Sequence, residues 1–240
     1  MKPSALIYKK MELDRPDGRD ESRVGHTNNC NEKLENHDKM APNHPAEGSL
    51  KFSCHLSPGE IGIQDELFET LNYWRKVMWQ KGLIGIYADG IGYGNISVRI
   101  PGSETFCISG TATGGLPELA RNHYALVERC DPDRNTVWCR GAINASAESM
   151  SHSAIYSSNP EIDAVVHIHN RLLWGKYMGV LPTTSPEVEY GTPAMAAEIT
   201  RILSQPATLQ KRVIIMGGHE EGIIAFGKTV EEAAKSILML

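Results

Sequence analysis

The sequence predicts an α/β or layered α+β fold, in which helices pack against a mixed sheet. Three observations support this prediction: a helical pattern over residues 64–81, an alternating strand pattern at 96–100, and several strand patterns that follow one another directly. A layer of helices on a sheet is the arrangement that buries the apolar faces of both kinds of element. The length of 240 residues allows one large domain or two small ones.

Periodicity and turn residues define the individual elements. In the first helix every third or fourth residue is apolar, and Gly82 follows at the position where a helix often ends. The last helix begins at 229–232 with a Thr-Val-Glu-Glu capping box. Strands are predicted at 96–100, 106–109, 123–129, 136–140, 165–169, 212–217 and 222–227, and further helices at 148–157, 171–178 and 193–204.

Residues 1–50 differ in composition from the rest of the chain. They mix both signs of charge with Asn, Pro and His, and Tyr8 is the only aromatic residue before Phe52. Such a segment buries too little apolar area to offset the conformational entropy lost on ordering. We therefore expect a disordered N-terminal extension over 1–50 and an ordered domain over 57–240.

Overall composition excludes several classes of function. A net charge of −5 gives no basic excess for nucleic-acid binding, and no apolar run is long enough to span a membrane. The first ten residues lack the apolar core of a signal peptide, so a cytoplasmic location is expected. The five cysteines form no C-x-x-C pair, and free thiols are expected.

The most informative segment is Val165-Val166-His167-Ile168-His169, two histidines at the end of a β-branched, apolar run. Such a run is typical of a buried strand, in which residues two apart point to the same face. His167 and His169 can therefore direct both imidazoles at one point, and imidazole is a common metal ligand. An isolated pair of this kind is more often two packed or hydrogen-bonded histidines.

Two further residues favour a metal site over simple packing. Glu148 lies upstream at the start of a predicted helix, and His219 follows a second apolar strand pattern at 213–218. Three protein nitrogens leave one coordination position open, which is the pattern of a catalytic rather than a structural zinc site.

Glycine-rich loops suggest a place for an anion. Neither the loop at 90–95 nor the one at 110–115 matches a nucleotide-binding motif, and tight turns alone account for such glycines. However, Asn95, Thr111 and Ser146 stand at turns beside element ends, where hydroxyl, amide and backbone N–H groups can hold a phosphate or carboxylate. Ser146 also fits an ordinary helix N-cap.

A set of short motifs occurs in a fixed order between residues 60 and 240. They are Gly82-Leu83-Ile84, Gly94-Asn95-Ile96-Ser97, Ile108-Ser109-Gly110-Thr111, Ser146-Ala147-Glu148, His152-Ser153-Ala154-Ile155-Tyr156, 165–169, Gly191-Thr192-Pro193, His219 and 227–233. Each motif is weak alone, but the ordered set resembles the class II aldolase/adducin family.

The resemblance implies a single domain with a central, mostly antiparallel sheet flanked by helices, usually assembled as a homotetramer. In the sugar-phosphate aldolases of this family, three histidines hold a divalent metal, commonly Zn²⁺, and a glutamate acts beside it. Transferred to matching positions, the metal ligands are His167, His169 and His219, the catalytic residue is Glu148, and the phosphate pocket comprises Gly94, Asn95, Thr111 and Ser146.

The function implied is a metal-dependent carbon–carbon lyase that acts on a small phosphorylated sugar or sugar acid through a metal-stabilised enediolate. The same groups can support an epimerase, a dehydratase or a decarboxylase, because fold and ligands do not name a reaction. A non-catalytic, adducin-like oligomerisation module is a further alternative, although such a module needs no convergent ligands. A cupin-type oxygenase is disfavoured, because its glutamate follows the HxH pair instead of preceding it.

Three departures from the family pattern stand out. Ala147 replaces a serine found in many members and removes one hydroxyl from the pocket. The usual His-Gly pair after the late strand becomes His219-Glu220-Glu221-Gly222, which adds two acids near the metal. The tyrosine that protonates substrate in well-studied aldolases has no secure equivalent, and Tyr190 is not assigned that role.

Overall fold

The computed structural model describes residues 48–240, so the extension predicted over 1–50 lies outside the described residues except for its last three. The helices are α1 (Asp65–Gln80), α2 (Ser149–Ser158), α3 (Arg171–Tyr177), α4 (Pro193–Leu203), α5 (Pro206–Lys211) and α6 (Val230–Leu238). The strands are β1 (Ser53–Ser57), β2 (Gly85–Ile86), β3 (Gly92–Tyr93), β4 (Asn95–Arg99), β5 (Phe106–Ser109), β6 (Tyr124–Asp131), β7 (Thr136–Gly141), β8 (Ala164–His169), β9 (Val213–Ile215) and β10 (Gly222–Gly227).

Eight strands form one sheet in the order β1-β7-β6-β5-β4-β8-β10-β9. Every neighbouring pair is antiparallel except β1 and β7, which run parallel. Strands β2 and β3 form a separate antiparallel hairpin. The predicted fold class, a mostly antiparallel sheet flanked by helices, is confirmed.

The sheet has an apolar core on each face. One core packs α2 and α4 against the sheet, through residues such as Met150 and Met195. The other packs α1 and α6 against the opposite face, through residues such as Leu71 and Ile237. Because both faces are covered, all six residues of β8 are buried, which explains its nearly continuous apolar sequence.

Most predicted elements are present within a few residues of their predicted ends. Gly82 follows α1 with φ 67°, as expected for a helix C-terminus. The side chain of Thr229 accepts a hydrogen bond from the Glu232 N–H at the start of α6. Strand β1 was not predicted: it begins at Ser53, before residue 57, where we expected the domain to begin. Its residues are mostly exposed and lack apolar alternation, as is common for an edge strand.

Two expectations from composition can be compared with the described residues. Within 48–240, no helix combines the length and the apolar character needed to cross a membrane. Cys54, Cys107, Cys130 and Cys139 are free thiols, as predicted, while Cys30 lies outside the described range.

A buried arginine ties α1 to the loop that follows β5. Arg75 is 1% exposed, and its guanidinium donates hydrogen bonds to the carbonyl oxygens of Thr113 and Gly114 at 2.8 and 2.9 Å, and also to that of Leu116. Burial lowers the pKa of this guanidinium from its usual value. Arg75 therefore supplies hydrogen-bond donors to loop carbonyl oxygens that are not part of the sheet. The same loop includes Thr111.

We expect Arg75→Met to destabilise the protein by about 3 kcal/mol, because several buried carbonyl oxygens lose their donor. For a domain of this size the loss corresponds to a melting temperature lower by about 6–12 °C. Lys76→Met is the matched control: its ion pair with Glu118 is exposed to solvent and should contribute little to stability. Equal melting temperatures for the two variants would show that Arg75 does not hold the loop.

Candidate metal centre

Strand β8 presents two histidines to one face of the sheet. His167 and His169 alternate with Val166 and Ile168, which belong to the core on the opposite face. Asn95 of β4 is the register partner of His167, so its side chain lies on the same face. Both histidines and Asn95 are buried. The strand pattern thus places Asn95 beside the histidine pair.

The third histidine comes from the turn between β9 and β10. Two glycines let this turn lie against residues 184–188: a Cβ on Gly217 would be 2.2 Å from the Thr184 carbonyl oxygen, and one on Gly218 would be 1.9 Å from that of Val188. The Gly217 N–H also donates to Thr184 Oγ1 at 2.8 Å. No residue with a side chain fits at either position, and the turn so fixed carries His219.

The three imidazoles converge. His167, His169 and His219 are all buried, and each offers a ligand nitrogen within 4.8 Å of the other two. The Nε2 atoms of His167 and His169 are 3.0 Å apart. This close approach of three nitrogen lone pairs is what a divalent cation needs, and the structure brings together all three histidines singled out from the sequence.

Burial favours the neutral, metal-binding form of His167. The pKa of His167 is well below its usual value, first because of desolvation and then because of the electrostatic influence of the neighbouring His219 and His152 imidazoles. Its Nδ1 lies 3.2 Å from the Ile223 carbonyl oxygen. A neutral imidazole that donates Nδ1–H to this carbonyl keeps its Nε2 lone pair directed at the centre.

Glu148 lies at the start of α2, next to the histidine cluster. Its side chain is buried, with Oε1 3.6 Å from His219 Nδ1. The Ser151 hydroxyl, three residues along, donates to Oε2 at 2.5 Å. One carboxylate oxygen therefore accepts a hydrogen bond from Ser151 while the other faces His219, a geometry in which the carboxylate can accept or return a proton.

A small cavity adjoins the histidine cluster. Its lining includes every residue predicted to bind phosphate, together with Glu148, Ala147 and Tyr190. The volume is about 20 Å³, enough for about one water molecule. Gly48 also lines it, and the carbonyl oxygen of Gly48 accepts a hydrogen bond from Thr111 Oγ1 at 3.5 Å. At this volume the cavity is smaller than a phosphate group, and Gly48 forms part of its wall. The predicted phosphate-binding residues brought together here are Gly94, Asn95, Thr111 and Ser146.

The structure shows what constrains Gly94 and what Asn95 offers to a ligand. Gly94 has φ 73°, and a Cβ there would lie 2.8 Å from Ile84 Cγ1 and 3.1 Å from the His167 carbonyl oxygen. Asn95 Oδ1 is buried and has no hydrogen-bond partner among residues 48–240. Ser146 is not the N-cap of α2, a position taken by Glu148; its hydroxyl instead accepts from the Glu148 N–H at 3.4 Å.

Tyr190 is a site residue that sequence reasoning did not select. Its ring stacks on the imidazole of His219, with centroids 4.1 Å apart and planes at 20°. The ring also contacts the ammonium group of Lys51, whose Nζ is 3.4 Å from the ring centroid. The same Nζ is 2.7 Å from Glu189 Oε1. The adjacent Gly191-Thr192-Pro193 motif was the available signal, because it tied this segment to the family pattern.

The sequence matches one known protein family. The model of the Class II Aldolase and Adducin N-terminal domain matches residues 77–240, more than half of the chain. Among proteins of curated function, none matches the sequence.

Several solved structures share the fold. An L-fuculose 1-phosphate aldolase is 18% identical with a TM-score of 0.56, covering 75% of this chain and 85% of its own. A sugar-phosphate aldolase from Thermotoga maritima is 17% identical with a TM-score of 0.54, covering 72% and 91%. YgbL from Escherichia coli, a proposed aldolase, epimerase or decarboxylase, is 19% identical with a TM-score of 0.54, covering 72% and 84%. At these identities the similarity establishes a common fold.

Proposed function

The chain belongs to the class II aldolase and adducin family, and we propose that it is a divalent-metal-dependent carbon–carbon lyase of the aldolase type. The substrate we propose is a small phosphorylated sugar or sugar acid. The observation that carries the proposal is the convergence of three buried imidazoles beside a buried glutamate and a polar cavity. Two of the similar structures are described as aldolases, which supports the same reaction class.

The donor set fits a divalent cation, and we propose Zn²⁺. Three imidazole nitrogens are the ligands of many catalytic zinc sites and leave a position for substrate. We propose His167, His169 and His219 as the ligands. A bound cation supplies Lewis-acid stabilisation of the negative charge that develops on substrate oxygens when the carbon–carbon bond breaks.

The protein's own groups carry the remaining steps. Glu148 accepts or returns the proton that moves as the bond breaks or forms, because its Oε1 faces His219 while the Ser151 hydroxyl donates to Oε2. Gly94, Asn95, Thr111 and Ser146 bind the phosphate or carboxylate of the substrate through neutral N–H and O–H groups. In this way the anionic group anchors the substrate next to the metal and the glutamate.

A screen with product identification tests the reaction. Metal-loaded protein is incubated with ketose phosphates and sugar acids, and cleavage to two carbonyl fragments is the expected result. Retention of all carbons in one epimeric or dehydrated product, or loss of a single carbon as CO₂, would assign the alternative chemistry to the same residues. An intact substrate throughout, in a protein that binds metal, would favour an adducin-like module without catalysis.

We also propose a homotetramer that works in the cytoplasm, on the basis of the family resemblance and the composition. Small molecules are its proposed ligands, with neither nucleic acid nor a membrane as partner.

Inorganic phosphate and phosphoglycolate should inhibit competitively at millimolar concentrations, because the cavity offers only neutral donors. Thr111→Val should weaken this inhibition by about 3- to 10-fold, the value of one hydrogen bond. Thr70→Val is the control, since its hydroxyl bonds the Glu66 carbonyl within α1. If unphosphorylated hydroxy acids bound while phosphate analogues did not, the substrate class would be wrong and the metal proposal would stand.

A further inference from the structure

Glu221 and Tyr87 are joined to the metal-ligand candidate His169 through hydrogen bonds. Tyr87 Oη is 2.7 Å from His169 Nδ1 and 2.9 Å from Glu221 Oε2. Neither residue lines the polar cavity described above. The two residues are 134 apart in the sequence. The family resemblance assigns a role to neither of them.

The geometry gives these hydrogen bonds a direction. His169 turns Nε2 toward His167 Nε2, so a metal ligated at Nε2 leaves the proton of a neutral imidazole on Nδ1. That N–H donates to Tyr87 Oη, and the Tyr87 O–H in turn donates to the Glu221 carboxylate. A ligand imidazole backed by an outer acceptor is held in one tautomer and one orientation, and it binds metal more strongly.

Tyr87 is held by the hairpin of β2 and β3. Its N–H donates to the Ile91 carbonyl oxygen at 2.9 Å across the hairpin loop. Its ring packs against Tyr93 with centroids 4.4 Å apart, and the Tyr93 ring stacks on His169 at 5.4 Å and 28°. The glycine-rich loop, which matched no nucleotide motif, thus positions two aromatic rings against one ligand imidazole.

Glu221 is held in an unusual backbone conformation. Its φ is 69°, in the left-handed region that residues other than glycine rarely adopt. Asn170 N–H donates to its carbonyl oxygen at 2.9 Å, and Arg171 Nη1 lies 3.9 Å from Oε1. The Glu221 side chain is only 12% exposed, whereas that of Glu220, which pairs with the same arginine, is 48% exposed. Glu221 is therefore the more buried of the two acids and the one that accepts a hydrogen bond from Tyr87.

We propose that Tyr87 and Glu221 are positioning residues for His169, forming a carboxylate–tyrosine–histidine chain that tightens metal binding. The inference rests on the proposed metal site and assigns a role to one of the two acids that distinguish this chain from the family pattern.

Metal titration of purified variants tests the proposed role of Tyr87 and Glu221. Affinity for Zn²⁺ is measured by competition with a chromophoric chelator, and Co²⁺ is used as a spectroscopic probe. Tyr87→Phe and Glu221→Ala should each weaken Zn²⁺ binding by about 10- to 100-fold and shift the visible Co²⁺ spectrum. Because the two residues act in series, the double variant should lose no more than the larger single loss. Melting of the metal-free proteins shows that each variant is folded.

Glu220→Ala is the matched control, because it removes the neighbouring acid and one partner of Arg171 without touching Tyr87. It should bind Zn²⁺ within about 3-fold of the wild type. Equal affinities for Glu221→Ala and Glu220→Ala would overturn the positioning role while leaving the metal site in place. A wild-type protein that takes up neither Zn²⁺ nor Co²⁺ would overturn the proposed function and the positioning role together.

Discussion

His167→Ala and His169→Ala are each expected to abolish metal binding and, with it, turnover. Removing one of three nitrogens leaves too few ligands. The loss in metal affinity should therefore exceed the roughly 10- to 100-fold loss that is typical when a residue hydrogen-bonded to a ligand is replaced. His55→Ala is the control, because this imidazole lies on the exposed strand β1, stacked on Trp138. Metal content after desalting and catalytic rate are measured on the same samples.

A different result is expected if His167 and His169 are not metal ligands. Histidines that only pack or hydrogen-bond within the core would, when replaced, lower the melting temperature of the metal-free protein and leave metal content unchanged. That result would exclude the ligand assignment, and the proposed reaction would lose its Lewis acid.

Glu148→Gln is expected to retain metal but to lose about 10²- to 10⁴-fold in turnover, the usual contribution of a general acid–base group. The amide keeps the shape of the side chain and can still accept the hydrogen bond from Ser151. It cannot accept and return a proton. The measurements are metal content, kcat on an identified substrate, and exchange of a substrate C–H for deuterium in D₂O.

Ser151→Ala supplies the comparison, because it removes the hydroxyl that holds Glu148 Oε2 but leaves the carboxylate in place. Its loss of rate should be far smaller than that of Glu148→Gln. Full activity in Glu148→Gln, or a rate loss no larger than that of Ser151→Ala, would show that Glu148 does not carry the proton.

The fold could be predicted from the sequence wherever an element is long enough to show its periodicity. The β-branched run before His167 predicts a buried strand, and alternation along β8 places His167 and His169 on one face. The edge strand β1 and the two-residue strands β2 and β3 could not be predicted, because they are too short or too exposed to bury a periodic apolar face.

The candidate site was predictable only where its residues carry a local sequence signal. Residues at strand ends and helix starts, such as His169 and Glu148, carry a local signal. Tyr87 and Glu221 meet across a hairpin loop and a left-handed turn, and nothing in the spacing of residues 134 apart indicates that contact. The closeness of Gly48 to Thr111 is likewise a tertiary contact, made by a segment that composition assigned to the extension.

The most direct test of the account is the metal content of the wild-type protein, purified without chelator and measured by elemental analysis. Three convergent imidazoles predict about one divalent ion per subunit, with zinc the most abundant. A metal content near zero, with no uptake when zinc or manganese is added, would contradict the proposal that His167, His169 and His219 form a catalytic metal centre.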